Sequence, residues 1–150
     1  MKISIGADHA GFEMKERVKK YLIGRGHEVT DEGTTSLEST DYPPYAFRVA
    51  EAVRDGVVER GILLCDSGNG IAIAANKVEK IRATICLNVT MAELARRHND
   101  SNVLVLAAKF TAPEAVDSIV ETWLTTGFDG GRHARRVDQI SEYERTHQHQ

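Results

Sequence analysis

The sequence predicts an α/β fold of the Rossmann-like kind: a three-layer αβα sandwich with a five-stranded parallel sheet and a C-terminal helix. One observation and one general rule lead to this prediction. Short runs rich in apolar and β-branched residues alternate along the chain with longer segments of helical period. Strands that alternate with helices form right-handed βαβ units, and helices cover both faces of the resulting parallel sheet.

The predicted elements follow one another without an internal repeat or a linker. The strands are predicted at residues 2–6, 27–31, 61–65, 82–86 and 103–107. The helices are predicted at residues 11–24, 44–54, 70–77, 91–99 and 113–126, with a C-terminal helix at about 137–145. Gly24 and Gly26 end the first helix, and the fifth opens with Thr111 as a capping residue and Pro113 as an early proline.

Length and charge narrow the class of protein. The 150 residues fit a single domain spanning residues 1–150, with a polar, frayed tail at about 146–150. Nineteen basic and 22 acidic side chains leave a net charge of −3, which favours neither nucleic acid nor a membrane as partner. The N-terminus has no signal-peptide pattern, so we expect a cytoplasmic protein.

The two cysteines have no metal-ligand spacing, and we expect both to be free thiols. Cys86 lies in an apolar run and is interpreted as a small buried side chain. Cys65 ends a predicted strand before a glycine-containing turn that opens a helix. Backbone N–H groups there would lower the pKa of its thiol, whereas the carboxylate of Asp66 would raise it. A purely structural Cys65 remains the alternative.

Ligands of open parallel sheets bind beyond the carboxyl ends of the strands. Asp8 and His9 follow the first predicted strand, Cys65 ends the third and Lys109 follows the fifth. We expect the segment around His98, one helix after the fourth strand, to lie at the same edge. The sequence therefore predicts one edge that gathers acids, histidines, a thiol and a cation.

Two further motifs each allow two interpretations. Gly68 and Gly70 either bring backbone amides close to an anion or only form a tight turn. Arg132 and Arg136 are four residues apart, so on a helix they would share a face and grip a phosphate, with His133 pointing elsewhere. The alternative is a solvated basic patch. The glycine spacing does not fit a dinucleotide site.

Five segments, in this order, resemble the B-type ribose-5-phosphate isomerases, a family that also contains the galactose-6-phosphate isomerase subunits. The segments are Gly6-Ala-Asp-His-Ala-Gly-Phe12, Thr40-Asp-Tyr-Pro43, Gly61-Ile-Leu-Leu-Cys-Asp-Ser-Gly-Asn-Gly-Ile-Ala-Ile-Ala-Ala-Asn-Lys77, Arg96-Arg-His-Asn-Asp100 and Gly130-Gly-Arg-His-Ala-Arg-Arg-Val137. They span almost the whole chain.

The resemblance implies a role for each matching residue. Cys65 would be the catalytic base, because the family's other branch has a glutamate where this chain has Ile71. His98 would be the acid/base of ring opening, and Ser67 would lie near the reacting oxygens. The remaining positions implied to bind the substrate are Asp8, His9, Tyr42, Asp66, Gly68, Asn69, Gly70 and Asn99, and those implied to bind its phosphate are Lys109, Arg132 and Arg136.

The resemblance also implies a reaction and an assembly. We expect aldose–ketose isomerisation of ribose 5-phosphate through an enediolate, without metal or organic cofactor. We expect a homodimer or tetramer with sites shared between subunits. Asp66 replaces a usual glycine and Lys109 a usual arginine, which leaves open a tetrose 4-phosphate or a galactose or allose 6-phosphate as substrate. A non-catalytic sugar-phosphate sensor and a phospho-acceptor receiver domain are the alternatives of another class.

Overall fold

The computed structural model describes residues 1–147, which form five strands and six α-helices. The strands are β1 (Lys2–Ala7), β2 (Glu28–Asp31), β3 (Arg60–Cys65), β4 (Ala83–Ile85) and β5 (Val103–Ala107). The α-helices are α1 (Phe12–Gly24), α2 (Pro43–Arg54), α3 (Asn69–Asn76), α4 (Val89–Asn99), α5 (Val116–Thr125) and α6 (Arg132–His147). Short 3₁₀ turns precede α1 and α5 and follow β5.

The sheet confirms the predicted architecture. All strand pairs are parallel, and the strand order is β2-β1-β3-β5-β4. One hydrophobic cluster packs α1, α4 and α5 on one face of the sheet, and a second packs α2 and α3 on the other. Helices therefore cover both faces, as the alternation of strands and helices predicts.

The alternation of side chains along β3 assigns the thiol to one of these faces. Ile62 and Leu64 belong to the cluster beneath α1 and α5, whereas Leu63 and Cys65 belong to the cluster beneath α2 and α3. Successive residues of a strand point to opposite faces. Cys65 therefore faces α2 and α3, and Asp66 follows it at the end of the strand.

Some predicted boundaries are wrong. β4 covers only Ala83–Ile85, shorter than the predicted run, and it lies at the edge of the sheet. Thr111 does not cap the fifth helix, because its Oγ1 donates a hydrogen bond of 2.7 Å to the carbonyl oxygen of Ala107. Pro113 begins a 3₁₀ turn, and α5 starts only at Val116.

The C-terminal helix starts five residues before its predicted start. α6 begins at Arg132, and the carbonyl of Gly130 accepts hydrogen bonds from the N–H groups of His133 and Ala134. Thr146 and His147, the first residues of the predicted frayed tail, are the last two residues of this helix. Residues 148–150 lie outside the described part of the chain. Across residues 1–147, no helix combines the length and the apolar character that a membrane span needs.

Candidate active site

Cys65 and Asp8 meet at the carboxyl edge of the sheet. The side chain of Cys65 is buried, and its Sγ donates a hydrogen bond of 3.6 Å to the Oδ2 of Asp8. The other carboxylate oxygen of Asp8 accepts the N–H groups of Ala10 and Gly11 at 3.0 and 3.2 Å and so caps the 3₁₀ turn after β1. The cap fixes the carboxylate in its orientation toward the thiol.

The surroundings of Cys65 raise the pKa of its thiol. Burial is the largest cause and the negative charge of Asp8 the next, while N–H groups of Gly68 and Asp66 act in the opposite direction. Of the two opposing effects that the sequence indicated, the raising one prevails, because burial and a carboxylate outweigh the amides. The carboxylate that opposes ionisation is Asp8, whereas the sequence pointed to Asp66.

A glycine-containing loop follows Cys65 and opens α3. Gly68 has φ +81° and precedes the helix, which begins at Asn69. This left-handed conformation costs little only for glycine. The Oγ of Ser67 accepts the N–H of Asn69 at 3.3 Å. The first N–H groups of a helix have no acceptor within it, so this loop offers backbone donors beside the thiol.

Tyr42 lies against this loop. A Cβ atom added to Gly70 would lie 2.5 Å from the Cζ of Tyr42, so only glycine allows the ring to approach so closely. Tyr42 is 36% exposed. The next residue, Ile71, is fully buried in the cluster beneath α2 and α3. The side chain at position 71 is therefore part of the hydrophobic core.

His9 is held by the segment before α2. Its Nδ1 accepts the N–H of Thr40 at 3.1 Å, and the hydroxyls of Thr40 and Tyr45 are 3.0 Å apart. A neutral imidazole that accepts at Nδ1 carries its proton on Nε2. His9 therefore offers an N–H donor from the same edge as Cys65.

Asp66 and Lys109 come together elsewhere at this edge. Both are exposed and line a cavity of about 460 Å³ with residues of α1, including Glu13 and Arg17. The Lys109 N–H donates to the carbonyl oxygen of Asp66 at 3.0 Å. Cys65 is not among the residues that line this cavity, which opens on the side of α1.

His98 and Asn99 lie at the opposite, amino edge of the sheet, so the prediction of a single edge is wrong for them. The Nε of Arg82, directly before β4, donates to the carbonyl oxygen of Asn99 at 3.1 Å. α4 carries the chain back from the end of β4 to the start of β5, so its last residues lie where strands begin. Because β3 has six residues and a strand rises about 3.3 Å per residue, the two edges are roughly 17 Å apart.

Arg132 and Arg136 lie on the first turns of α6, near His98. The N–H of Asp129 donates to the carbonyl of Arg97 at 3.0 Å and ties the segment before α6 to the end of α4. Both guanidiniums are exposed, and neither forms an ion pair within residues 1–147. The helical spacing that places them on one face is confirmed.

His133 is a residue that the sequence interpretation missed. Its ring stacks on that of His98 with centroids 4.1 Å apart and planes 8° from parallel. Burial and the positive charges of Arg132 and Arg136, together with His98, lower the pKa of His133. The sequence carried no signal for this contact, which depends on how α6 packs on α4.

His98, Asp129 and His133 also bring potential metal ligand atoms within 4.8 Å of one another. A metal ion lies in the plane of each imidazole that binds it, at about 2.0–2.1 Å from nitrogen for zinc. Two stacked, nearly parallel rings do not direct their lone pairs to one point. In this arrangement the three side chains form a stacked pair of imidazoles beside a carboxylate, and the two rings are not oriented to bind one metal ion.

Comparison with known proteins places the chain in a family. Residues 3–140 match the family described as Ribose/Galactose Isomerase. This stretch includes Cys65 and Asp8 as well as His98, Arg132 and Arg136. The chain belongs to this family. It is 48% identical over 143 residues to ribose-5-phosphate isomerase B of Escherichia coli, covering 95% of this chain and 96% of that protein.

Two further proteins are similar to this chain over nearly its whole length. The structure titled ribose-5-phosphate isomerase B from Clostridium thermocellum superposes with a TM-score of 0.95 and 49% identity, covering 97% of this chain and 99% of that one. D-erythrulose-4-phosphate isomerase of Pectobacterium atrosepticum is 40% identical over 151 residues, covering 100% of this chain and 99% of that protein. The predicted resemblance and the Rossmann-like fold are confirmed.

Proposed function

We propose that the chain interconverts ribose 5-phosphate and ribulose 5-phosphate, with Cys65 as the base. The observation that carries the proposal is the buried thiol of Cys65, which lies between the carboxylate of Asp8 and the amide-rich start of α3. The relative with 48% identity is a ribose-5-phosphate isomerase, which supports the choice of substrate. The buried Ile71 has no group that could replace the thiol as base.

The thiol must lose its proton before it can act. The Oδ2 of Asp8 is the acceptor that the Sγ of Cys65 already contacts, so the proton leaves toward this carboxylate. The thiolate then removes the proton from C2 of the open-chain aldose and returns it at C1. Between the two steps the sugar is an enediolate, whose negative charge the amides of Ser67–Gly70 and the Ser67 hydroxyl would stabilise.

The phosphate would bind to Arg132 and Arg136, and His98 would act in opening the ring. These side chains lie about one strand length from Cys65 in the same chain, so they do not share a site with it. We therefore propose a homodimer, or a tetramer built from such dimers. One subunit supplies Cys65, Asp8, His9 and Tyr42, and its partner supplies the arginines, His98 and Asn99.

The remaining assignments follow from this arrangement. Gly68, Asn69 and Gly70 would bind the enediolate. Lys109 and Asp66 would contact the substrate from the neighbouring cavity. The single ammonium of Lys109 would replace the bidentate contact that an arginine makes with a phosphate. The mechanism uses only side chains and amides of the protein itself. With two free cysteines, we also propose a cytoplasmic location.

Deuterium incorporation from heavy water tests the proposed reaction. Wild-type protein should exchange the C2 proton of ribose 5-phosphate while forming ribulose 5-phosphate. Cys65→Ser should still bind the sugar but lose about 10²–10⁴-fold in exchange and turnover. Cys86→Ala is the matched control: Cys86 is fully buried, and burial raises the pKa of its thiol to about 11. Near-full turnover by Cys65→Ser would refute the assignment of the base.

A tetrose 4-phosphate is the second candidate substrate, favoured by the D-erythrulose-4-phosphate isomerase among the relatives. The same exchange assay with tetrose, pentose and hexose phosphates ranks them by kcat/KM. Binding without exchange for every sugar would indicate a sensor. A receiver domain is disfavoured by topology, because receivers have the strand order 2-1-3-4-5, whereas β5 here lies between β3 and β4.

A further inference from the structure

The stacked imidazoles of His98 and His133 belong to different helices. His98 lies near the end of α4 and His133 is the second residue of α6. Their ring centroids are 4.1 Å apart, and both side chains are partly exposed. Each ring can therefore exchange protons with solvent or with a ligand that binds at this surface.

Opening a furanose requires two proton transfers. The ring oxygen O4 must gain a proton as the C1–O4 bond breaks, and the hydroxyl on C1 must lose one as the C1=O bond forms. The two nitrogens of one imidazole point in different directions, so a single ring does not serve both oxygens of C1 in one step. The proposed function assigns His98 to ring opening and leaves the second transfer without a group.

We propose that His133 supplies the second proton transfer of ring opening, as the partner of His98. This inference rests on the proposed function. The imidazolium of His98 donates its proton to O4, and the electron pair of the C1–O4 bond remains on O4. Neutral His133 accepts the proton of the C1 hydroxyl, and the electron pair of that O–H bond becomes the second bond of the C1 carbonyl. Solvent then returns both rings to their starting states.

The surroundings favour His133 as the base of this pair. Arg132 and Arg136 flank it on α6, and their charges oppose a further positive charge on its ring. A stacked neighbour that is itself protonated opposes this charge on His133 as well. Asp129 is the nearby negative group, but its carboxylate is engaged by the Nε of Arg97 at 3.2 and 3.3 Å.

The test separates ring opening from proton transfer at carbon. Ribose 5-phosphate is mostly a furanose, whereas ribulose 5-phosphate cannot close such a ring and is an open chain. Exchange of the C1 protons of ribulose 5-phosphate with heavy water therefore needs Cys65 but not ring opening. We would measure this exchange at saturating ribulose 5-phosphate, and turnover of ribose 5-phosphate, in His133→Asn and His133→Phe.

Both variants should keep ribulose exchange near the wild-type rate and lose about 10²–10⁴-fold in ribose turnover, the usual effect of one acid/base group. His147→Asn is the matched control, since His147 also lies on α6 and stacks on an aromatic ring, that of Tyr143, at 4.0 Å. It should change neither rate.

Three other outcomes would overturn the inference. Full ribose turnover by His133→Phe would show that the ring only packs against His98, and full turnover by His133→Asn would show that it is dispensable. An equal loss of both reactions would show a structural role. Wild-type protein that performs neither reaction would refute the proposed function itself, which is a distinguishable result.

Discussion

The Sγ of Cys65 lies 3.6 Å from the Oδ2 of Asp8, and the thiol donates to that carboxylate. The contact joins the end of β3 to the turn that follows β1. It gives the thiol a proton acceptor, but it also opposes a negative charge on sulfur, because the carboxylate raises the pKa of the thiol. Both the contact and the raised pKa therefore favour the protonated thiol over the thiolate in the free protein.

Asp8→Asn should lower the pKa of the Cys65 thiol. The substitution removes the negative charge, and an asparagine oxygen can still accept the N–H groups of Ala10 and Gly11. Thiolate absorbance in the ultraviolet, or the pH dependence of alkylation, measures the shift in protein without substrate. The titration should move to lower pH, since the thiolate forms above its pKa. A Cys86→Ala background removes the second thiol.

Asp66→Asn is the matched control for this experiment. Asp66 is adjacent to Cys65 in sequence, but its side chain lines the cavity beside α1 with Lys109. The thiol titration should therefore stay where it is in wild-type protein. A larger shift with Asp66→Asn than with Asp8→Asn would contradict the assignment of the opposing carboxylate.

Gly70→Ala should impair catalysis more than stability. The added methyl group would lie 2.5 Å from the Cζ of Tyr42, so the ring must move away from the loop. Because Tyr42 is 36% exposed, the ring can swing outward, and we expect a loss near the lower end of the range of about 1–3 kcal/mol for overpacking. Thermal unfolding and kcat/KM measure the two effects. Unchanged kcat/KM would show that the Tyr42 position is not needed.

Arg136→Gln should weaken binding of the substrate's phosphate. A hydrogen bond to a charged group is worth about 1.5–3 kcal/mol, so we expect kcat/KM to fall about 10- to 100-fold. Arg135→Gln is the matched control, since it removes the same charge one residue away on α6. At saturating ribulose 5-phosphate, Arg136→Gln should exchange the C1 protons with heavy water at close to the wild-type rate. Equal effects of the two substitutions would indicate only a general positive field.

Much of the fold could be predicted from sequence because it depends on local patterns. Apolar runs located all five strands, and the parallel sheet followed from their alternation with helices. The boundaries depended on tertiary contacts. Thr111 satisfies the carbonyl of Ala107 instead of capping α5, and α6 starts at Arg132, where its first turn packs beside α4.

The candidate site was predictable in its residue types but not in its arrangement. The sequence suggested that His98 and Cys65 share one edge, yet a helix between parallel strands returns the chain to the opposite edge. It also indicated opposing effects of adjacent amides and a carboxylate on the pKa of Cys65, but it could not identify burial and Asp8 as the causes that raise this pKa. The contact between His98 and His133 joins distant segments, and local patterns carry no information about it.

We propose that each active site combines Cys65 of one subunit with the arginine and histidine cluster of another. Mixing two impaired variants, Cys65→Ser and Arg132→Ala, under conditions that exchange subunits tests this arrangement. In a mixed dimer one site receives both wild-type halves. Random pairing should therefore restore about a quarter of wild-type activity in a symmetric dimer. Activity that stays at the level of the separate variants, with subunit exchange verified, would contradict the claim.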